Sequence, residues 1–303
     1  MKSDVSVEEA VRRYLDSQYR ALTDREADLT ENRDPECLHK FRVALRRSRA
    51  LLGEMRDYLP EGLAALREDM AEVARATNPA RDTDVFLADL TTYRTWLPAF
   101  LQPGLEAMRK DLEGRRRQAY EEVSALLAAS TYRKLKSDWE HWLVADSGDL
   151  ATDPVFSEKA RKDRALESAV ERKVDRRMRK VLKRAKKMTA NSSPDEMHRL
   201  RIACKKLRYL LEFAQQETED PRAKETIGGL KKIQTLLGDY NDAAVQLSRL
   251  RDYLETQGKL TKHTAAAIGY LLRLLERRQE KLRRKLLKKS KRLERLGEFW
   301  NSG

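Results

Sequence analysis

Cysteine is scarce in this chain, with only 2 in 303 residues. A small disulfide-stabilised fold needs many more, so the sequence predicts a reducing compartment, the cytoplasm. Long apolar runs are also missing. None approaches the roughly 18 residues of a membrane span, and the opening residues read as an amphipathic helix rather than a signal peptide. These absences exclude a disulfide scaffold and predict that the protein has no membrane partner.

Glycine, proline and aromatic residues are also few, with 12 Gly, 8 Pro and 7% aromatics. Leu, Ala, Arg, Lys and Glu dominate instead, which favours helix over sheet. No segment alternates as a strand would over more than a few residues. The sequence therefore predicts an all-α fold. Helices are expected near 5–30, 35–58, 62–77, 82–96 and 103–143, and then near 156–189, 194–217, 222–237, 240–257 and 261–297.

The charge is unevenly distributed along the chain. In total, 63 Lys and Arg oppose 49 Asp and Glu, for a net charge of +14. Residues 1–150 carry 24 basic and 28 acidic side chains, a net of −4, so residues 151–303 carry 39 and 21, a net of +18. An apolar fraction of 40% allows a packed core, which excludes a disordered basic tail. The excess of positive charge predicts an anionic partner.

The sequence repeats itself. HKFRVALRRSRALL begins at His39 and HRLRIACKKLRYLL begins at His198, an offset of 198 − 39 = 159 residues. Each copy is preceded by a capping residue and a proline, Asp34-Pro35 and Ser193-Pro194, which is typical of a helix start. We interpret the chain as a duplicated unit, with a first helical-bundle repeat at 5–146, a second at 155–297 and a seam at 146–154.

Both histidine helices carry a cationic stripe beside an apolar one. At about 100° per residue, Arg42, Arg46 and Arg49 fall next to His39, and Arg201, Lys205 and Arg208 fall next to His198. Residues 37–53 and 197–211 contain no acid. An ordinary solvated helix face, which is the alternative, mixes both signs of charge. The pattern therefore predicts anion binding. The alternative for each histidine is a buried, neutral ring between two helices.

The paired motif resembles the CHAD domain family (conserved histidine α-helical domain), and the resemblance extends over roughly residues 5–295. The stretch LGDYNDAAVQL from Leu237 and its partner NPARDTDVFL from Asn78 are similar to the family's second signature. The resemblance implies two four-helix bundles, related by a pseudo-twofold axis, with long helices around a central basic groove or pore. It also implies that the ligand is inorganic polyphosphate, and it would allow association with polyphosphate granules in the cytoplasm.

The predicted polyphosphate contacts form two tiers. The first tier is the duplicated set His39, Arg42, Arg46, Arg49, His198, Arg201, Lys205 and Arg208. The second tier contains residues near these helices or at matching positions of the two copies: Arg47, Lys206, Tyr209, Arg13, Arg172, Arg116, Arg277 and Lys231. Some members of the basic runs at 173–187 and 277–292 are also expected to face the ligand, although the sequence does not sort them.

Two other functions remain open at this point. The basic second half would suit a helical RNA- or DNA-binding protein, although the shortage of aromatics for base stacking disfavours it. Asp82, Asp84 and Asp242 would suit a metal-assisted phosphoryl-transfer enzyme, but acids at a helix start are ordinary and no nucleophile accompanies them. His141 and His263 lack companions at ligand spacing. Cys204 lies on an apolar arc and reads as a core thiol. The sequence thus predicts no catalytic residue, metal or cofactor.

Overall fold

A computed structural model describes residues 5–31, 34–144, 166–218 and 220–301. Within these ranges the regular structure is helical and contains no β-strand, which confirms the predicted all-α class. No helix in these ranges is both long enough and apolar enough to cross a membrane. The helices are α1 (Val7–Thr23), α2 (Glu26–Glu31), α3 (Pro35–Met55), α4 (Leu63–Ala76), α5 (Asn78–Trp96), α6 (Glu106–Ala128), α7 (Ser130–Val144), α8 (Leu166–Lys186), α9 (Pro194–Glu217), α10 (Pro221–Thr256) and α11 (Lys262–Asn301).

Capping side chains fix where the two histidine helices begin. The Asp34 carboxylate accepts from the backbone N–H of Glu36 at 2.9 Å at the start of α3. At the start of α9, the Ser193 hydroxyl accepts from the backbone of Glu196, and the Glu196 carboxylate accepts from the backbone of Ser193 at 2.8 Å. This reciprocal pair satisfies two otherwise unpaired N–H groups. Both predicted helix starts are confirmed.

The predicted helix break at Gly238–Asp239 is wrong, because α10 runs without interruption from Pro221 to Thr256. A glycine inside a helix costs about 1 kcal/mol relative to alanine. The flanking side chains Ile233, Leu237 and Tyr240 are buried, and burial of each contributes more than that. Tertiary packing therefore overrides the local preference of the glycine for a turn.

The long helix predicted over 103–143 is divided at Ala129 into α6 and α7. The reason is the phase of the buried residues. If one straight helix continued, Tyr132 would lie about 180° around the axis from Val123, because nine residues advance it by about 900°. Both side chains are nevertheless fully buried. The break at Ala129 rotates α7 so that its apolar stripe also faces the core.

The described part of the chain forms two compact units, and boundaries between them fall inside α5, α6, α8 and α9. The predicted repeats at 5–146 and 155–297 divide the chain differently, and they stay a prediction because the seam at 146–154 and the start at 155 lie outside the described residues. Unit 1 comprises Met1–Asp84, Arg116–Val174 and Gln216–Thr218. Unit 2 comprises Val85–Arg115, Asp175–Gln215 and Glu219–Gly303.

The core of unit 1 forms where α3 packs against α1 and α4. Leu38, Phe41 and Leu45 of α3 are fully buried. The ring of Phe41 lies 6.4 Å from the ring of Tyr132 on α7. Burial of such a side chain contributes about 1.5–3 kcal/mol, so this arc fixes the rotation of α3 about its axis. The cationic stripe, which adjoins the arc, is thereby held in one orientation.

The core of unit 2 is built on α10 and α11, together with the 3₁₀ segment Ala99–Leu105. Leu250 and Leu271 are fully buried in it. Gly104 permits the closest approach, since a Cβ at this position would overlap the backbone carbonyl of His263 on α11. Helix α9 is tied to α10 by Gln234, whose Nε2 donates to the backbone carbonyl of Cys204 at 2.7 Å.

Candidate functional site

The predicted first-tier residues lie on two helices, one in each unit. We call His39, Arg42, Arg46 and Arg49 the α3 stripe, which lies in unit 1. We call His198, Arg201, Lys205 and Arg208 the α9 stripe, which lies in unit 2. Both helices bury their apolar arc and hold the stripe residues beside it at intermediate or full exposure. Each stripe therefore lies on a side of its helix that is not buried in the core.

Arg42 is anchored by protein acceptors rather than presented freely to a ligand. Its Nη1 donates to the carbonyl of Ala74 and to the hydroxyl of Thr77, both at 2.6 Å. Its Nη2 donates to Asn78 Oδ1 at 2.5 Å. These bonds fasten α3 to the junction of α4 and α5. Burial lowers the pKa of Arg42 to about 10 despite the nearby carboxylate of Asp82, so the guanidinium stays charged at neutral pH.

His39 is half-buried among cations. Its burial is the main reason that its pKa lies below the ordinary value of 6.5. The positive charge of Arg81 on α5 lowers the pKa further, and Glu36 opposes this effect. Arg46 and Arg42 also lower it. The ring is therefore neutral at pH 7, in a place where an anion would favour its protonation.

Arg49 extends the crowding of positive charge along α3. Burial lowers its pKa, and the cations Arg67 and Arg75 of α4 lower it further against the raising effect of Glu68. Arg67 Nε also donates to the backbone carbonyl of Arg49 at 3.3 Å. Gly53 makes room for that guanidinium, since a Cβ would lie 3.1 Å from Arg67 Nε. The buried Nε of Arg49 makes no hydrogen bond to the described residues.

The α9 stripe begins with an exposed histidine held by one neighbour. His198 Nδ1 lies 2.6 Å from Asn241 Oδ1 on α10. An amide oxygen only accepts, so Nδ1 carries the hydrogen in this pair. In this tautomer Nε2, the other ring nitrogen, is an acceptor, and protonation would convert it into a donor.

The rest of the α9 stripe is partly balanced by protein groups. Arg208 forms an ion pair with Glu212 one turn later, at 3.6 Å, and its guanidinium lies 5.4 Å from the centre of the Tyr209 ring. Tyr209 is only 5% exposed, so its ring supports Arg208 and offers little surface to a ligand. Arg201 has a buried Nε that makes no hydrogen bond to the described residues.

Second-tier cations fall into two groups. Arg116 and Arg13 are engaged internally: Arg116 pairs with Asp84 at 2.7 Å, and Arg13 pairs with Glu217 at 2.7 Å. Arg172 is exposed and its Nη2 lies 3.5 Å from the hydroxyl of Tyr58. The other four cations are partly or fully exposed and lie on α3, α9, α10 and α11, in this order: Arg47, Lys206, Lys231 and Arg277.

Of the three acids that the phosphoryl-transfer alternative would use, Asp84 is engaged by neighbouring side chains, whereas Asp82 and Asp242 are exposed. Asp84 is buried, and its carboxylate accepts from Arg116 Nε and from the Tyr120 hydroxyl, both at 2.7 Å. Asp82 is exposed in unit 1 beside Arg42, and Asp242 is exposed in unit 2. In the described ranges no group of three or more His, Cys, Asp or Glu has the arrangement of a metal site. Asp84 therefore stabilises the fold by accepting hydrogen bonds from Arg116 and Tyr120.

Cys204 behaves as the core thiol that the sequence predicts. Its side chain is fully buried, and burial raises its pKa to about 12. A thiol with so high a pKa is protonated at neutral pH and is a poor nucleophile. The interpretation of Cys204 as a packing residue is confirmed.

Sequence reasoning missed the groups that face the two histidines. Arg81 faces His39 from α5, and Asn241 faces His198 from α10. The two positions are related by 241 − 81 = 160 residues, which is the offset that also relates Asp82 to Asp242. Extending the repeat alignment by one position from these aspartates would have found both residues.

Comparisons with known proteins find one family model and two solved structures of similar fold. The model of the CHAD domain matches residues 13–251. The crystal structure of the CHAD domain from the plant Ricinus communis matches with a TM-score of 0.76 and 24% identity, over 96% of this chain and 93% of that one. PptA from Streptomyces chartreusis matches with a TM-score of 0.69 and 13% identity, over 94% and 99%. At these identities both structures show the fold alone. No curated protein matches significantly.

Proposed function

The chain belongs to the CHAD domain family, and from that premise we propose that it binds inorganic polyphosphate through the α3 stripe and the α9 stripe. The proposal depends on each stripe by itself. The arrangement of both stripes around one basic groove or pore rests on the resemblance alone. We also propose that the protein acts in the cytoplasm, including at polyphosphate granules.

One observation carries this proposal: the pKa values of His39, Arg42 and Arg49 are all depressed by burial and by neighbouring cations. Positive charges held close together in a partly dry setting repel one another. A bound polyanion would remove that cost, and guanidinium groups bind phosphate oxygens in a bidentate way. An uncharged or cationic ligand would gain nothing from the same arrangement.

Nucleic acid is the main competing ligand. Single-stranded RNA or DNA gains about 1–3 kcal/mol for each base that stacks on an exposed aromatic ring. The rings next to the stripes, Phe41 and Tyr209, are 0% and 5% exposed and cannot serve as such platforms. A phosphate chain without bases needs only cations. The stripes therefore favour polyphosphate over a single-stranded nucleic acid.

The proposal is also that binding is not accompanied by catalysis. The Asp84 carboxylate is occupied by Arg116 and Tyr120, and the Cys204 thiol is buried and protonated. Each of these two groups could otherwise serve phosphoryl transfer. The stripe residues themselves are suited to hold phosphates and lack a partnered nucleophile.

A direct competition experiment tests the choice of ligand. We expect the protein to bind long-chain polyphosphate at least about tenfold more tightly than single-stranded RNA of equal phosphate count at ~150 mM salt. The reason is that the bases of the RNA would find no exposed aromatic ring on which to stack. The measurement is displacement of labelled polyphosphate by each unlabelled polymer. Equal or tighter binding of RNA would make nucleic acid the preferred ligand.

Binding should depend on pH through His39. Its pKa is below 6.5 in the free protein, and a bound polyanion would raise it, so binding takes up a proton. We expect the affinity for polyphosphate to rise about three- to tenfold as the pH falls from about 8 to 6. Isothermal titration in two buffers of different ionisation enthalpy measures the proton uptake.

The control for that pH dependence is His39→Gln, which keeps a hydrogen-bonding side chain but cannot gain a charge. Protonation of the phosphates themselves affects both proteins equally and cancels in the comparison. A pH dependence that is the same in His39→Gln and in the original protein would rule out His39 as its source.

A further inference from the structure

The basic run at 173–187 is sorted by the structure into different faces of α8. Lys173 is buried, and its Nζ donates to Asp57 at 2.5 Å. Further along, α8 and α9 together enclose a groove of about 450 Å³, entirely within unit 2. We call it the α8–α9 groove. It is lined by Arg177, Lys180, Lys183 and Arg184 of α8, by Lys187 just beyond the end of α8, and by Arg199, Ile202, Ala203 and Lys206 of α9.

This groove is not the α9 stripe seen from another side. Taking His198 as zero and about 100° per residue, Ile202 and Lys206 lie near 40° and 80°. Arg201 and Lys205 lie near 300° and 340° on the same scale. The groove thus uses the other flank of α9, and the histidine lies between the two cationic surfaces.

The lining of the α8–α9 groove contains cations and two apolar residues but no carboxylate. The acids nearest in sequence on α9, Asp195 and Glu196, occupy its first turn and are not part of the lining. The negative end of the α8 dipole offsets some of the charge near Lys187. It does not account for Arg199 near the positive end of α9. An anion that binds from outside would reduce the repulsion among these cations.

The geometry of the groove suits a linear phosphate chain. From Arg177 to its end at Lys186, α8 rises about 14 Å, so its cations can contact several consecutive phosphates. The lining has no aromatic ring on which a base could stack, and Ile202, which is 39% exposed, is its largest apolar side chain. Single-stranded nucleic acid would leave its bases without partners in this groove.

We propose that the α8–α9 groove is a second polyphosphate site, which binds a segment of the polyphosphate independently of the α9 stripe. This inference rests on the proposed function. It also gives a role to basic residues at 177–187 that a histidine-centred site does not use. A long polyphosphate would then gain affinity by occupying both cationic flanks of α9, whereas a short one would occupy either flank separately.

The test compares two double variants of the same helix. Lys180→Gln/Arg184→Gln removes one lysine and one arginine from the groove. Arg179→Gln/Lys186→Gln removes the same two charges from exposed positions of α8 outside the lining. We expect the groove variant to bind long-chain polyphosphate about five- to twentyfold more weakly at ~150 mM salt. The slope of log K against log salt should fall by about 2. The control should stay within about twofold.

The outcomes separate this inference from the proposed function. If the groove variant and the control bind alike while the original protein binds polyphosphate, the groove is not a site and the proposed function stands. If the original protein does not bind polyphosphate, both ideas fail. If the groove variant loses affinity for duplex RNA but keeps it for polyphosphate, the groove is a nucleic-acid surface and the inference is wrong.

Discussion

Replacing Arg46, Arg49, Arg201 and Lys205 with glutamine is expected to weaken polyphosphate binding by at least about a hundredfold at ~150 mM salt. Each phosphate contact that is lost removes one released counterion, so the slope of log K against log salt should fall by about 3 to 4. The four side chains lie at or near the protein surface, and glutamine keeps the helix propensity high. Fluorescence titration at three salt concentrations measures both quantities.

A charge-matched control separates the stripes from net charge. The control residues are exposed and lie on helices that carry no stripe residue, namely α5, α6 and α7: Arg94, Lys110, Arg117 and Arg133. Changing these four to glutamine removes three arginines and one lysine, as in the stripe variant. The control should bind within about threefold of the original protein. Equal losses in both variants would mean that polyphosphate responds to overall charge and that the stripes are not its site.

Arg42 is left unchanged in that experiment for a structural reason. Its guanidinium satisfies the carbonyl of Ala74 and the side chains of Thr77 and Asn78. Truncation would leave these acceptors without their donor and would loosen α3 from the start of α5, at a cost of about 1–3 kcal/mol. A loss of binding in such a variant would not distinguish a missing phosphate contact from a displaced helix.

The sequence predicts well those features that depend on the period of a single helix. Leu38, Phe41 and Leu45 lie on one side of α3 and are buried, whereas Arg46 lies on the α3 stripe and is exposed. Helix starts are also local, because a cap such as Ser193 acts over only three residues. These features could be predicted because every group involved lies within one or two turns of its partner.

Features that depend on a second helix could not be predicted in the same way. The side chain of Lys173 pairs with that of Asp57, which is 116 residues away in the sequence. Nothing in the run at 173–187 distinguishes this buried lysine from the exposed ones, because the difference is made by what packs against it. The continuity of α10 through Gly238 is similar, since it is decided by the burial of flanking side chains. Pairing across helices therefore needs coordinates.

The charge of the two histidine helices illustrates both cases. The sequence shows that 37–53 contains no acid, but the carboxylate of Asp82 arrives beside Arg42 from another helix. On α9 the balancing acid is Glu212, just beyond the acid-free segment. An acid-free segment thus predicts a cationic surface correctly, yet it overstates how much of that charge is left for a ligand.

Asp84→Ala is expected to lower the free energy of unfolding by about 2–4 kcal/mol. The carboxylate is 1% exposed and holds both Arg116 and the Tyr120 hydroxyl. Its removal leaves a partly buried guanidinium without its counter-charge and a buried hydroxyl without its acceptor. Tyr120 and Arg116 also stack at 4.6 Å, so the loss spreads through the contact between α5 and α6. Urea denaturation followed by circular dichroism measures the change.

The partner change Arg116→Met tells whether Arg116 serves stability or the ligand. If Arg116 exists to hold Asp84, Arg116→Met should destabilise the protein, and the double variant Asp84→Ala/Arg116→Met should be more stable than the sum of the two single losses predicts. Polyphosphate affinity should stay within about twofold in Arg116→Met. A tenfold loss of affinity with little loss of stability would show that Arg116 contacts the ligand. If the stability losses of the two single variants add up to that of the double variant, Asp84 and Arg116 do not act as a pair.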